Sequence, residues 1–81
     1  MSKKQFIKKS SELGFEFETY LIQHPTAYKK VPQGAQVFVT KKGDEQFNEE
    51  MLSIAKNMRT RKPLIEAHQA GSGWLIRPLA L

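Results

Sequence analysis

Apolar residues recur at helical spacing near the start of the chain, on one face that comprises Phe6, Leu13, Phe17, Tyr20 and Leu21. Ser2 and Gln5 precede this face in the arrangement of a capping box, which satisfies backbone N–H groups at the start of a helix. The helix is expected to end at His24, because Pro25 pushes the residue before it out of the helical conformation. The pattern therefore predicts an amphipathic first helix.

Two features weaken this first helix. Gly14 lies in its interior and costs about 1 kcal/mol relative to alanine. Four lysines near its amino terminus oppose the helix dipole. We therefore expect residues 1–9 to fray and the firm part of the helix to run from about Ser10 to Gln23.

A strand and a second helix follow a connector at residues 25–34. Residues 35–40 are β-branched and aromatic at their centre, which predicts a strand. Asp44 is a suitable cap for the second helix, and Pro63 stops it. The apolar stripe of this helix is expected in the core and comprises Phe47, Met51, Ile54, Ala55 and Met58.

The last part of the chain predicts a hairpin. Residues 63–69 and 74–77 have the composition of strands, and the glycines within residues 70–73 favour a turn between them. Pro78 indicates that the last strand is short or lies at an edge. Residues 79–81 are expected to form either a docked end or a tail.

The order helix, strand, helix, strand, strand predicts one small α/β domain over residues 1–81, two-layered or sandwiched, with a three-stranded mixed sheet and two main helices. Two topologies remain open. In one, the first two strands form a direct parallel pair with a right-handed crossover. In the other, the third strand inserts between them and every pair is antiparallel.

Side chains alternate along a strand, so the sheet has two distinct faces. One face is the expected floor for the second helix and comprises Ala35, Val37, Val39, Ile65 and Ala67. Met51 and Ile54 are expected to be fully buried against Val37 and Val39. The opposite face is mixed and comprises Gln36, Phe38, Leu64, Glu66 and His68. We expect either the first helix or a second copy of the chain to cover it, with Phe38 as the residue that tests the choice.

Two segments resemble a known family. Residues 15–25, which read FEFETYLIQHP, resemble the segment F-E-F-x-x-Y-L-x-x-H-P of an uncharacterised family of short bacterial proteins, a domain of unknown function. Residues 31–37 are similar to that family's I-P-x-x-A-x-V entry to a strand. The likeness extends to about residue 68, whereas the loop at residues 40–43 and the hairpin around residues 71–73 differ. No activity accompanies the family, so the resemblance implies the scaffold and leaves the function open.

Composition narrows the class of protein. The 81 residues are 40% hydrophobic and 26% charged, which is ordinary for a soluble globular domain. No apolar run approaches the roughly 18 residues that a membrane span needs. The chain has no cysteine, which excludes a disulfide framework, a thiolate metal site and a cysteine nucleophile. We therefore expect a cytoplasmic protein with no membrane partner.

The net charge of +5 invites a nucleic-acid interpretation. The lysines and arginines fall in short clusters along the chain, with acidic residues between them, and no single predicted element gathers them. Weak attraction to polyanions follows from the net charge. The pattern does not predict specific recognition of a nucleic acid.

The remaining titratable residues predict no catalytic site, metal site or cofactor. Glu66 and His68 point the same way from one strand, but a third ligand and a nucleophile are missing at recognisable spacings. His24 is placed to bond the last carbonyls of the first helix. The loop at residues 41–44 could hold an anion, although acidic residues crowd the helix that follows.

Taken together, these observations predict a protein-interaction module without catalytic machinery. The expected partner is a second copy, as a homodimer, or another protein. The expected interaction surface is either the first helix or the mixed sheet face, with Phe38, Leu64, Glu66 and His68. The alternative is a basic accessory protein that associates with nucleic acid through its cationic clusters.

Overall fold

A computed structural model of the chain describes residues 1–79, which form three helices and a three-stranded sheet. The elements are α1 (Lys3–Gln23), α2 (Pro25–Tyr28), β1 (Gln36–Lys41), α3 (Glu45–Lys56), β2 (Leu64–Ala70) and β3 (Gly73–Pro78). The predicted α/β order is confirmed, with α2 as a short helix in the connector. Leu79 is docked, since its N–H donates to the carbonyl of Leu64 at 2.9 Å. The rest of the expected end or tail lies outside the described residues.

The helix α1 begins at Lys3, well before the predicted firm part. The capping box is present, with the Gln5 N–H donating to Ser2 Oγ at 3.1 Å and the Ser2 N–H donating to Gln5 Oε1 at 3.0 Å. The first turns also gain tertiary contacts, because the Phe6 ring lies 5.2 Å from the Phe47 ring. These contacts offset the unfavourable lysines at this end of the helix.

The sheet has the order β1-β2-β3. β1 and β2 are parallel, and β2 and β3 are antiparallel, so the direct parallel pair is the topology that the chain adopts. In this register Val39 lies beside Ala67, and Phe38 lies beside Glu66. The strand β1 is therefore at one edge of a mixed sheet.

Helices cover both faces of the sheet at β1, so the domain is sandwiched. The Phe17 ring of α1 lies 5.0 Å from the Trp74 ring, and the Gln69 amide donates to the Glu16 carboxylate at 3.1 Å. Gln69 and Trp74 are neighbours on the sheet face that also carries Val39 and Ala67, so α1 covers that face. The opposite face carries Phe38 and Thr40, which are buried, and the helix that packs closely against β1 on that side is α3.

This arrangement corrects two expectations. The second helix does not lie on the face of Val37 and Val39, because α1 occupies it. Phe38 is not left open for a partner, since it is only 3% exposed within the chain's own core. Alternation along the strand separates the two faces correctly, but it does not specify which helix covers which face.

The core stripe of α3 is confirmed in part. Phe47 and Ala55 are fully buried and Met51 is nearly so. Ile54 is 46% exposed, so the expectation that it would be fully buried is wrong. It lies at the margin of the stripe, where no element of residues 1–79 covers it completely.

The contrast between Phe47 and Ile54 predicts the stability of two truncations. Phe47→Ala empties a fully buried site, and we expect it to lower the free energy of unfolding by about 3–5 kcal/mol. Ile54→Ala removes a half-exposed side chain, and we expect a loss below about 1 kcal/mol. Urea unfolding followed by circular dichroism measures both values. Equal losses would contradict the packing of α3.

A second stability prediction concerns Gly14. A Cβ at this position would meet no heavy atom within 4 Å, and the backbone is helical. Gly14→Ala should therefore raise the free energy of unfolding by about 0.5–1 kcal/mol, because alanine loses less backbone entropy in a helix. Thermal and urea unfolding test this, and a destabilised variant would show that the position is closely packed.

Candidate interaction surface

The four residues of the predicted interaction surface do share one sheet face. Leu64, Glu66 and His68 alternate along β2, and Phe38 lies beside Glu66 in the register. The centre of this face is not open, however, because Phe38 and Glu66 are 3% and 5% exposed, although Leu75 of β3 on the same face is 51% exposed. Leu64 and His68 are half-buried. The helix α3 and the polar contacts described next enclose the centre of this set.

Glu66 is the centre of a hydrogen-bonded network that joins all three strands. The Thr40 hydroxyl donates to Glu66 Oε2 at 2.6 Å, and the Arg77 Nε donates to Oε1 at 2.8 Å. Since that hydroxyl has one proton, His68 Nδ1, which is 2.8 Å from Thr40 Oγ1, is the donor in their contact. A buried carboxylate is stable only when it is paired in this way.

The same network sets the titration of Glu66. Burial alone would raise its pKa, but hydrogen bonds from Arg77 and Thr40, together with the charges of Arg77 and His68, lower the pKa below its ordinary value. The carboxylate therefore remains ionised in the folded protein under mildly acidic conditions. Sequence reasoning paired Glu66 with His68 but missed Thr40 and Arg77, which come from neighbouring strands.

Asp44 joins the two long helices at the carboxyl end of β1. It forms an ion pair with Lys9 and accepts the Phe47 N–H at 3.3 Å, as a cap of α3. The hydrogen bond from Lys9 is the main cause that lowers the pKa of Asp44. The loop considered above for an anion thus has its carboxylate engaged with α1, and its role here is to hold α1 against the start of α3.

The outer edge of β1 is only partly closed. The N–H groups of Gln36 and Lys42 donate to carbonyls of Pro63 and Gln69, so the backbone of even-numbered residues faces β2. The backbone of Lys41 faces outward. The side-chain amide of Asn48 accepts the Lys41 N–H at 2.8 Å and donates to the Lys41 carbonyl at 2.7 Å. The backbone N–H and carbonyl groups of Val37 and Val39 also point away from β2, and no strand of residues 1–79 pairs with them.

An apolar groove of about 560 Å³ lies along this edge, between α1 and α3. Four consecutive residues of β1, Gln36–Val39, line its floor, as expected where a strand edge is accessible. The two walls include Phe6, Gly14 and Leu21 of α1 on one side, and Met51 and Ile54 of α3 with Met58, which follows that helix, on the other. Unlike the centre of the predicted sheet face, this groove is open to solvent.

Two shallow hollows continue the groove at either end of α1. One shares Phe6 and Ile54 with the groove, and the other shares Leu21. We call the groove and these hollows the groove surface. Seven large apolar residues are exposed among residues 1–79, and five of them line this surface: Met1, Ile7, Ile22, Tyr28 and Ile54. Of these five, Ile54 lines the groove itself, and the other four line the hollows at the two ends of α1.

The remaining candidates for chemistry have structural roles. His24 Nδ1 lies 2.9 Å from the Tyr20 carbonyl, and the two rings stack at 4.1 Å, in agreement with the expected role at the helix end. Within residues 1–79, no group of three His, Cys, Asp or Glu could hold a metal ion. Nor does this part of the chain contain a helix long and apolar enough to cross a membrane.

The chain belongs to a family of unknown function, DUF5647, whose model matches residues 5–65. This match confirms the resemblance to a domain of unknown function. It covers α1, β1 and α3, which form the groove, and reaches the start of β2. No curated protein and no solved structure matches the chain.

The lowered pKa of Glu66 predicts a pH dependence of stability. Because the folded state lowers this pKa, the contribution of Glu66 is present above the ordinary glutamate range and is lost as the pH falls through the folded value. Urea unfolding at about pH 7 and about pH 3 should show a steeper loss for the parent than for Glu66→Gln. Glu12→Gln, at an exposed position, is the control and should behave as the parent. An unchanged slope in Glu66→Gln would contradict the role of the network.

Proposed function

We propose that the chain is a non-catalytic protein-interaction module that associates with a second copy of itself through the groove surface. The observation that carries the proposal is an unpaired strand edge on the floor of an apolar groove, with exposed Ile54 in the groove and four further exposed apolar residues in the two hollows that adjoin it. The buried carboxylate of Glu66 supports the non-catalytic part, since both of its oxygens are held by neighbouring side chains.

A second copy fits this edge because the same β1 residues can supply both strands of an antiparallel pair. In an antiparallel pair centred on Phe38, Val37 of one copy lies opposite Val39 of the other. The N–H and carbonyl groups of both valines then exchange hydrogen bonds across a two-fold axis. Another protein would need to supply an extended segment of matching length, whereas the chain already contains one.

The small core gives a second argument for association. The long helix α1 buries only Leu13 and Phe17, while Ile7 and Ile22 on the same helix are 53% and 81% exposed. In a domain of this size a single core supplies only a few kcal/mol of stability, and oligomerisation often supplies more. Covering the walls of the groove would stabilise α1 as well as the interface.

The proposal predicts different effects from one substitution at two positions of similar exposure. Ile54 on the groove surface is 46% exposed, and Leu75 on β3, which does not line it, is 51% exposed. We expect the parent to dimerise between micromolar and submillimolar concentration. Ile54→Glu should remain monomeric, because dimerisation would bury the new charge. Leu75→Glu should dimerise as the parent does. Sedimentation equilibrium at low and high salt measures this.

Two outcomes would refute the proposal. A parent that stays monomeric over the whole range excludes self-association, and equal effects of the two substitutions exclude the groove surface. Circular dichroism of both variants confirms that they fold. Association through apolar groups should change little with salt, which separates it from aggregation on a polyanion.

A further inference from the structure

The parallel pairing of β1 and β2 brings two distant segments to the same end of the molecule. Residues 29–35 lead into β1 and residues 57–63 lead into β2. They meet directly, because the Gln36 N–H donates to the Pro63 carbonyl at 2.9 Å. Val31 and Met58, one from each segment, line the same groove.

These two segments, together with the last residue of α3, concentrate positive charge. Six of the thirteen lysines and arginines lie here, all exposed, and we call them the basic end: Lys29, Lys30, Lys56, Arg59, Arg61 and Lys62. Residues 29–35 and 56–63 contain no aspartate or glutamate. Within residues 1–79 none of the six cations forms an ion pair.

The acidic residues lie mainly elsewhere. Asp44 and Glu45 begin α3 at the carboxyl end of β1, and Glu16 binds Gln69 near the carboxyl end of β2. Glu18 is an exception, because it lines the same hollow as Lys29. The basic end therefore has cations without acidic residues in its own segments, whereas the lysines at the carboxyl end of β1, Lys41 and Lys42, lie beside Asp44 and Glu45.

We propose that the basic end binds the phosphodiester backbone of a nucleic acid without reading its sequence. Lysine and arginine side chains that lack acidic partners attract phosphates and release condensed counterions. The cations lie on connecting segments rather than along one helix, so no element is presented to read base edges in a groove. The apolar residues within the two segments, Val31 and Met58, are half-buried in the groove, whereas Ile22 and Tyr28 beside Lys29 are exposed.

The test compares two triple variants that remove the same charge from two different regions. Arg59→Ala/Arg61→Ala/Lys62→Ala alters the basic end. Lys3→Ala/Lys4→Ala/Lys8→Ala alters the exposed lysines at the start of α1. Fluorescence anisotropy with a labelled single-stranded oligonucleotide and with its duplex, over a series of salt concentrations, gives the affinity and the slope of log K against log salt.

We expect the parent to bind with a steep negative slope. The first variant should lose affinity on the order of tenfold and reduce the slope by about 2 on the single strand, because three phosphate contacts are lost. The second variant should keep most of the parent's affinity. The single strand and the duplex show which form of nucleic acid supplies the phosphates, and binding of either one supports the proposal.

Three outcomes would overturn this inference. Equal losses in the two variants would show that net charge alone attracts the oligonucleotide. No measurable binding by the parent at low salt would exclude the site. Tighter binding to vesicles containing phosphatidylserine, lost in the first variant only, would assign the basic end to membranes. The test does not depend on self-association, because all six cations belong to one copy of the chain.

Discussion

The parallel pairing of β1 with β2 is the constraint on which the rest of the molecule depends. A parallel pair requires a crossover, and α3 supplies it by returning along β1 to the start of β2. Because α1 lies on the other face, β1 is buried on both sides although it is an edge strand. The groove, the Glu66 network and the meeting of the two basic segments all follow from this pairing.

The edge of β1 shows how the chain protects one part of a strand and leaves another open. At Lys41 the Asn48 amide takes the place of a neighbouring strand, since it binds both outward backbone groups. At Val37 and Val39 the edge is flanked by α1 and α3 and has no such substitute. Exposed edges usually carry charges or prolines that prevent pairing, whereas here the flanking side chains are apolar, which suits an edge used for association.

Much of the fold could be predicted from local sequence patterns. The capping box at Ser2, the cap at Asp44 and the stripe that contains Phe47 and Met51 depend on residues within one turn or one helix. The assignment of helices to faces could not be predicted, because alternation along β1 gives two faces without saying which neighbour covers each. The sequence pattern therefore leaves Phe38 to the first helix or to a second copy, although α3 buries it.

The candidate site was less predictable because its parts come from different elements. Thr40, Glu66 and Arg77 stand on three strands, and only the register brings them within hydrogen-bond distance. The groove surface joins both helices to β1. Its one local signal was the position of Ile54 at the margin of the α3 stripe. Spacing identifies the centre of an apolar face, but its covered width depends on the neighbouring elements.

The two proposed surfaces are compatible in one molecule because of the direction of the strands. Each copy carries a net charge of +5, and its basic end lies where β1 begins. In an antiparallel pair of β1 edges the two starts point in opposite directions, so the basic ends lie at opposite ends of the paired strands. Salt screens exposed charges over about 10 Å at 0.1 M, and separation therefore weakens their repulsion. A parallel arrangement of the same edges would instead place the two basic ends side by side.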